Sequence, residues 1–188
     1  LRALGDEAFG ELLVIVELQM PVGAERADVV LLGWSPSSPR GVVIELKQWS
    51  KISVDPLTNF VDVPHVGIHR HPSIQVLNYR GKLRFFNQHA QQYELFSTVF
   101  LLNALTRDQE ALIESAPRMW TEEAPLFTSA EHQAFAQWVS ERLLPTSLDP
   151  LEAVAFTEAP YAQSKHLFSF VKEHARDIAQ DAELALAG

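Results

Sequence analysis

Cysteine is missing from all 188 residues. That excludes disulfides and thiolate metal sites, and it fits a cytoplasmic protein. Basic residues are scarce: 15 Lys and Arg stand against 24 Asp and Glu, for a formal net charge of -9. A protein that holds nucleic acid mainly by electrostatics carries a basic excess. Any nucleic-acid contact here must therefore be local, or supplied by another domain. No apolar run is long enough to span a membrane, and no internal repeat or low-complexity tract stands out. The chain opens on Leu1 rather than Met, which leaves targeting signals unread. What is present is ordinary globular composition, 47% hydrophobic and 21% charged, in a length that suits one sizeable domain or a domain with an appendage.

Residues 1–13 read as the tail of a helix leading into a strand. Apolar, β-branched runs at 13–20, 26–34 and 41–49 read as three strands, the first two joined by a Pro- and Gly-containing turn as a hairpin. Residues 52–72 hold Pro56, Pro64, Gly67 and Pro72 without a sustained period and read as a long loop. A helix is expected over 72–90, with Pro72 in its first turn, then a fourth strand over 95–105. Residues 106–124 read as a short helix and a loop. An amphipathic helix follows over 129–144, with Ser129 as its N-cap and His132 at the capping-box position. Residues 145–163 are Pro-containing and irregular, and the chain closes in one or two helices. The order suggests an α/β fold with a central mixed β-sheet flanked by helices. The division expected is a domain over 1–144, then a linker and C-terminal helix over 145–188.

The third strand, "GVVIELKQW", carries Glu45 and Lys47 within an apolar run. Strand alternation points both to one face, ~7 Å apart along the backbone. Asp28 sits mid-strand in "RADVV". If the second and third strands pair, Asp28 and Glu45 converge, and two close carboxylates repel unless something positive lies between them. Magnesium or manganese fits such a site, since a hard cation takes one or two carboxylates and fills its other positions with water and phosphate oxygens. Lys47 would then orient the attacking water or stabilise developing negative charge. The competing reading places Glu45 and Lys47 where an edge strand meets solvent. On these residues alone both readings stand.

Asp28, sixteen residues, then Glu45-x-Lys47 resembles the PD-(D/E)xK nuclease signature. Gln75 and Tyr79, four apart on the expected helix and so on one face, resemble the QxxxY motif of its RecB-like members. The wider wording, "VELQMP", "ERADVVLLGW", "VVIELKQWS", "HPSIQVLNY", "APLFT" and "SKHLFSFV", resembles the nuclease-like region found N-terminal to Schlafen-group-3-type superfamily 1 helicases of bacteria. The resemblance implies a restriction-endonuclease-like core and a Mg2+- or Mn2+-dependent nuclease acting on DNA more readily than RNA. It implies catalytic roles for Asp28, Glu45, Lys47, Gln75 and Tyr79. It also implies a helicase in the same polypeptide or complex, in defence or repair, and no membrane partner. The helicase phosphate loop does not occur in this chain. The rival expectation is a non-catalytic nucleic-acid-binding or regulatory module with the same fold.

Glu17 interrupts the first strand as Glu45 interrupts the third, and it is a candidate third metal-site carboxylate. Its face depends on a register that one residue of slip would invert. Glu7 and Glu11, four apart, are the alternatives. His65, His69 and His71 cluster in the expected loop but, with no fourth ligand, make a weak zinc signal. His71, in the "HPS" wording with Ser73, suits the start of the helix or a phosphate. Arg70, Arg80, Lys82 and Arg84 form the basic concentration of the chain. With His71 and Ser73 they are the candidate contacts to a nucleic-acid backbone. Trp34 and Trp49 read as packing.

Overall fold

A computed structural model describes residues 12–55, 58, 60–144 and 148–161. The first three strands form an antiparallel meander: β1 (Leu13–Gln19), β2 (Arg26–Trp34) and β3 (Pro39–Lys47). Val, Ile and Leu dominate them, side chains that pack well on a pleated surface. β3 starts and ends two residues earlier than its apolar run suggests, because Trp34 pairs with Pro39. After helix α1 (Pro72–Phe86), β7 (Glu94–Leu101) returns parallel to β3, and β8 (Leu126–Thr128) adds parallel to β7. The sheet order is β1-β2-β3-β7-β8, a mixed sheet with helices on both sides.

Alternation along the strands builds two cores. Val30, Leu32, Val43, Val99 and Leu101 face α1 and pack with its Val76, Tyr79 and Leu83. Leu31, Val42 and Ile44 face the other way, against Phe135 and Val139 of α4 (His132–Ser140) and Leu143 beyond it. The α1 face carries the candidate site.

Residues 52–72 are not an irregular loop: β4 (Ser53–Val54), β5 (Phe60–Val63) and β6 (Gly67–Arg70) form a separate antiparallel sheet, with Val61 and Val63 buried. Strands of two to four residues are too short to impose a readable period. The helix expected over 72–90 ends at Phe86. Asn87 caps it, and its buried side chain accepts from the Ala90 N–H and donates to the Phe156 carbonyl. Residues 106–124 hold two helices, α2 (Thr106–Ser115) and α3 (Arg118–Glu123). The cap before α4 is Thr128 with Glu131, not Ser129 with His132: the Glu131 carboxylate accepts from the Thr128 N–H at 2.9 Å. Within the expected linker lies α5 (Pro150–Thr157), capped by Asp149 and started by Pro150. Its Phe156 is fully buried in the main core. Among the described residues, no helix is long and apolar enough to cross a membrane.

Candidate functional site

The ladder between β2 and β3 stops at Val29–Ile44, one pair short of Asp28 and Glu45. The backbone partner that Leu46 would have found on β2 is replaced by a side chain: Asp28 Oδ2 accepts the Leu46 N–H at 2.7 Å. The pleat changes at the same level. Glu17 holds a left-handed φ of 52° and takes no ladder partner, while Val16–Val29 and Leu18–Ala27 pair on either side of it. Ile15 and Leu18 consequently enter the same core, as do Val30 and Ala27. The β2–β3 ladder is thus open at the level of Asp28 and Glu45.

Glu45 is 2% exposed. Its Oε1 accepts from Lys47 Nζ at 2.6 Å and from Gln75 Nε2 at 2.7 Å. Gln75 Nε2 also donates to the Tyr79 hydroxyl oxygen at 2.7 Å. Glu45 Oε2 is buried and has no hydrogen-bond partner among the described residues. One oxygen is thus saturated by two donors while the other is left bare. Burial pushes the Glu45 carboxyl up to about 7, and the nearby Asp28 charge adds to the rise. The Lys47 charge and hydrogen bond oppose it without cancelling it. Burial also raises the Tyr79 hydroxyl, against the Gln75 hydrogen bond; the charges of Glu45, Glu25 and Asp28 act in the same direction as burial.

The structure therefore brings Glu45, Lys47, Gln75 and Tyr79 into one network, with Asp28 close enough to act on it electrically. Glu17 stays apart. Its side chain is 64% exposed and lies 3.7 Å from Arg26. Glu7 and Glu11 lie outside the described residues. Among the described residues no group of three or more His, Cys, Asp or Glu side chains that could hold a metal ion is found, and His65, His69 and His71 are not brought together as one. Asp28 and Glu45 remain as a pair of oxygen donors.

The expected backbone contacts fare unevenly. His71 is fully buried: its Nδ1 accepts the Ser73 N–H at 3.2 Å, so Nε2 carries the proton and donates to the Leu112 carbonyl at 3.1 Å. Burial lowers its pKa, which keeps this ring neutral. Ser73 is equally buried and donates its hydroxyl to the Ala124 carbonyl at 2.9 Å. Both side chains are used in fixing the start of α1, and neither is placed to touch a nucleic-acid backbone. Arg80 pairs with Glu123 at 2.8 Å, and Lys82 with Glu25. The Lys82 hydrogen bond lowers the Glu25 pKa, helped by the charge of Arg70. Arg70 and Arg84 are exposed, the latter 5.6 Å from the Phe85 ring centroid.

Sequence reasoning undervalued Trp49. It packs as expected, but its ring also faces the Lys47 ammonium at 5.0 Å. The i, i+2 spacing of Lys47 and Trp49 past a strand end was the available signal. Comparison with family models, with curated proteins and with solved structures returns no match.

Proposed function

We propose that this domain is a metal-dependent nuclease of PD-(D/E)xK type, built on a restriction-endonuclease-like core and hydrolysing phosphodiester bonds of DNA. The carrying observation is the bare, buried Oε2 of Glu45: its carboxylate feels the charge of Asp28, while Oε1 is held by Lys47 and Gln75. A buried carboxylate oxygen without a donor costs stability unless a cation meets it. Two carboxylates with open positions suit Mg2+ or Mn2+, and Asp28 and Glu45 would hold the ion. When bound, such an ion supplies charge neutralisation at phosphate and a more acidic water.

The remaining roles belong to the chain. Gln75 fixes the Glu45 carboxylate so that Oε2 is the oxygen presented, and Tyr79 anchors Gln75 in turn. Lys47 carries a positive charge on the same face of β3 and supplies donors for an attacking water or a phosphate oxygen in the transition state. DNA as substrate, a helicase partner and a defence or repair setting follow from the resemblance alone and belong to the same proposal, as does a cytoplasmic location, which the lack of cysteine fits.

One observation favours a non-catalytic module instead: Arg80 and Lys82 are already neutralised by Glu123 and Glu25 within the domain. The experiment that decides is DNA cleavage in Mg2+ or Mn2+, beside calorimetric Mn2+ binding. The nuclease reading expects metal-dependent cleavage that Lys47→Ala abolishes while Mn2+ binding persists, because lysine is not a ligand. Mn2+ binding without cleavage, or neither, leaves the binding module.

A further inference from the structure

A lysine ammonium on its flexible stem readily swings into solvent, yet the Lys47 side chain is only 14% exposed. Two contacts confine it. Glu45 Oε1 lies 2.6 Å from Nζ, and the Trp49 ring centroid lies 5.0 Å from it. A cation over an aromatic face is drawn to the ring quadrupole, most strongly for Trp and more so where water is excluded. Trp49 is 6% exposed and belongs to the main core. The backbone between the two residues is tied to the end of β7: the Leu102 N–H donates to the Lys47 carbonyl at 2.8 Å, and Asn103 Nδ2 to the Gln48 carbonyl at 3.2 Å. From the small inserted sheet, His69 of β6 lays its ring against Trp49, with centroids 5.3 Å apart and planes at 39°. His69 Nε2 is buried without a hydrogen-bond partner among the described residues, so this ring contact is made without a polar partner at that nitrogen.

We propose that Trp49, backed by His69, is a positioning residue that holds the Lys47 ammonium at Glu45 and out of solvent. The inserted β4–β6 sheet thereby has a task in the site: it braces the indole against which the lysine rests. The kinetic consequence of this inference rests on the nuclease reading, whereas the contact itself does not.

The test uses Trp49→Phe, Trp49→Leu and His69→Ala in the full chain, with melting curves as a check on folding. Lys47 is labelled with an amine-reactive reagent and quantified by mass spectrometry against Lys51, which is exposed. A cation–aromatic contact corresponds to roughly 2- to 30-fold in an equilibrium. Trp49→Leu should raise Lys47 labelling relative to Lys51 by several-fold within that range. Trp49→Phe, which keeps an aromatic face, should restore most of the protection, and His69→Ala should shift labelling in the same direction as Leu by a smaller factor. In metal-dependent cleavage, Trp49→Leu should lower kcat by about tenfold with little change in KM. Unaltered Lys47 labelling in Trp49→Leu overturns the proposal. So does a Phe variant as exposed as the Leu variant, because volume rather than the aromatic face would then be responsible. If Trp49→Leu does not fold, unchanged labelling in His69→Ala overturns it. Absence of cleavage in the wild type defeats the nuclease reading only, and labelling then decides alone.

Discussion

Replacing Glu45 by Gln in metal-free protein should remove a loss of stability that the wild type suffers as pH rises from 4.5 to about 7. Folding lifts this carboxyl from 4.5 to about 7, with burial as the leading cause. A rise of that size makes the ionised form about 3 kcal/mol less favourable in the folded state than in the unfolded chain. The sign follows from proton binding. Below 4.5 both states hold the proton and the group contributes its full share. Between 4.5 and about 7 the unfolded chain has lost its proton while the folded one keeps it, so stability falls as pH rises. Above about 7 the loss is complete. His71 acts in the opposite direction, because burial lowers its pKa and stability is lost as pH falls. The wild-type profile alone therefore mixes the two, and the difference between wild type and Glu45→Gln isolates the carboxyl. Gln keeps the shape and can still accept from Lys47 while carrying no charge. The difference in unfolding free energy should move by about 3 kcal/mol in favour of the variant between pH 4.5 and 8. For a domain of this size that is roughly 6–12 °C in Tm. Calorimetric or dichroic melts in a chelator at five or six pH values would measure it. Wild type and Glu45→Gln running parallel across that window would mean that Glu45 is not forced to ionise at a cost, and the argument for a cation at Oε2 would lose its basis.

The same residues show which parts of the site were legible. Glu45 and Lys47 could be placed together because strand alternation is a property of the backbone, and Gln75 with Tyr79 because helical residues four apart share a face. Their union was not legible, since it depends on how α1 crosses β3. Asp28 was legible as an interrupted strand but not as the acceptor of the Leu46 N–H, which exists only because the ladder ends there. Glu17 escaped for a related reason: its left-handed φ reverses the pleat, and nothing in "VIVELQM" announces it. Surface arginines and lysines read as free charges until their partners, 43 and 57 residues away in sequence, are seen. By contrast, the Asp149–Pro150 start of α5 and the Thr128–Glu131 box were present in the sequence. They were obscured by prolines nearby and by a one-residue misplacement of the cap.

Asp28→Asn should blunt the rise in Tm that saturating Mn2+ produces in the wild type, which mass action puts at ~2.7 kcal/mol for a hundredfold excess over Kd. An equal Mn2+ response in both proteins would remove Asp28 from the site. Glu25, in the β1–β2 turn, neutralises Lys82 and feels the charge of Arg70. Gly23 in that turn has a φ of 93°, and a side chain there would meet the Glu25 carboxylate. Glu25→Gln should release Lys82 as a phosphate contact. Anisotropy with a short labelled duplex should then show tighter binding at low salt, and a plot of log affinity against log salt should steepen by about 0.9 for one added phosphate contact. Unchanged affinity and unchanged slope would mean that nucleic acid does not run along this side of α1. The nuclease reading would then need its substrate to reach the Glu45 network by another route.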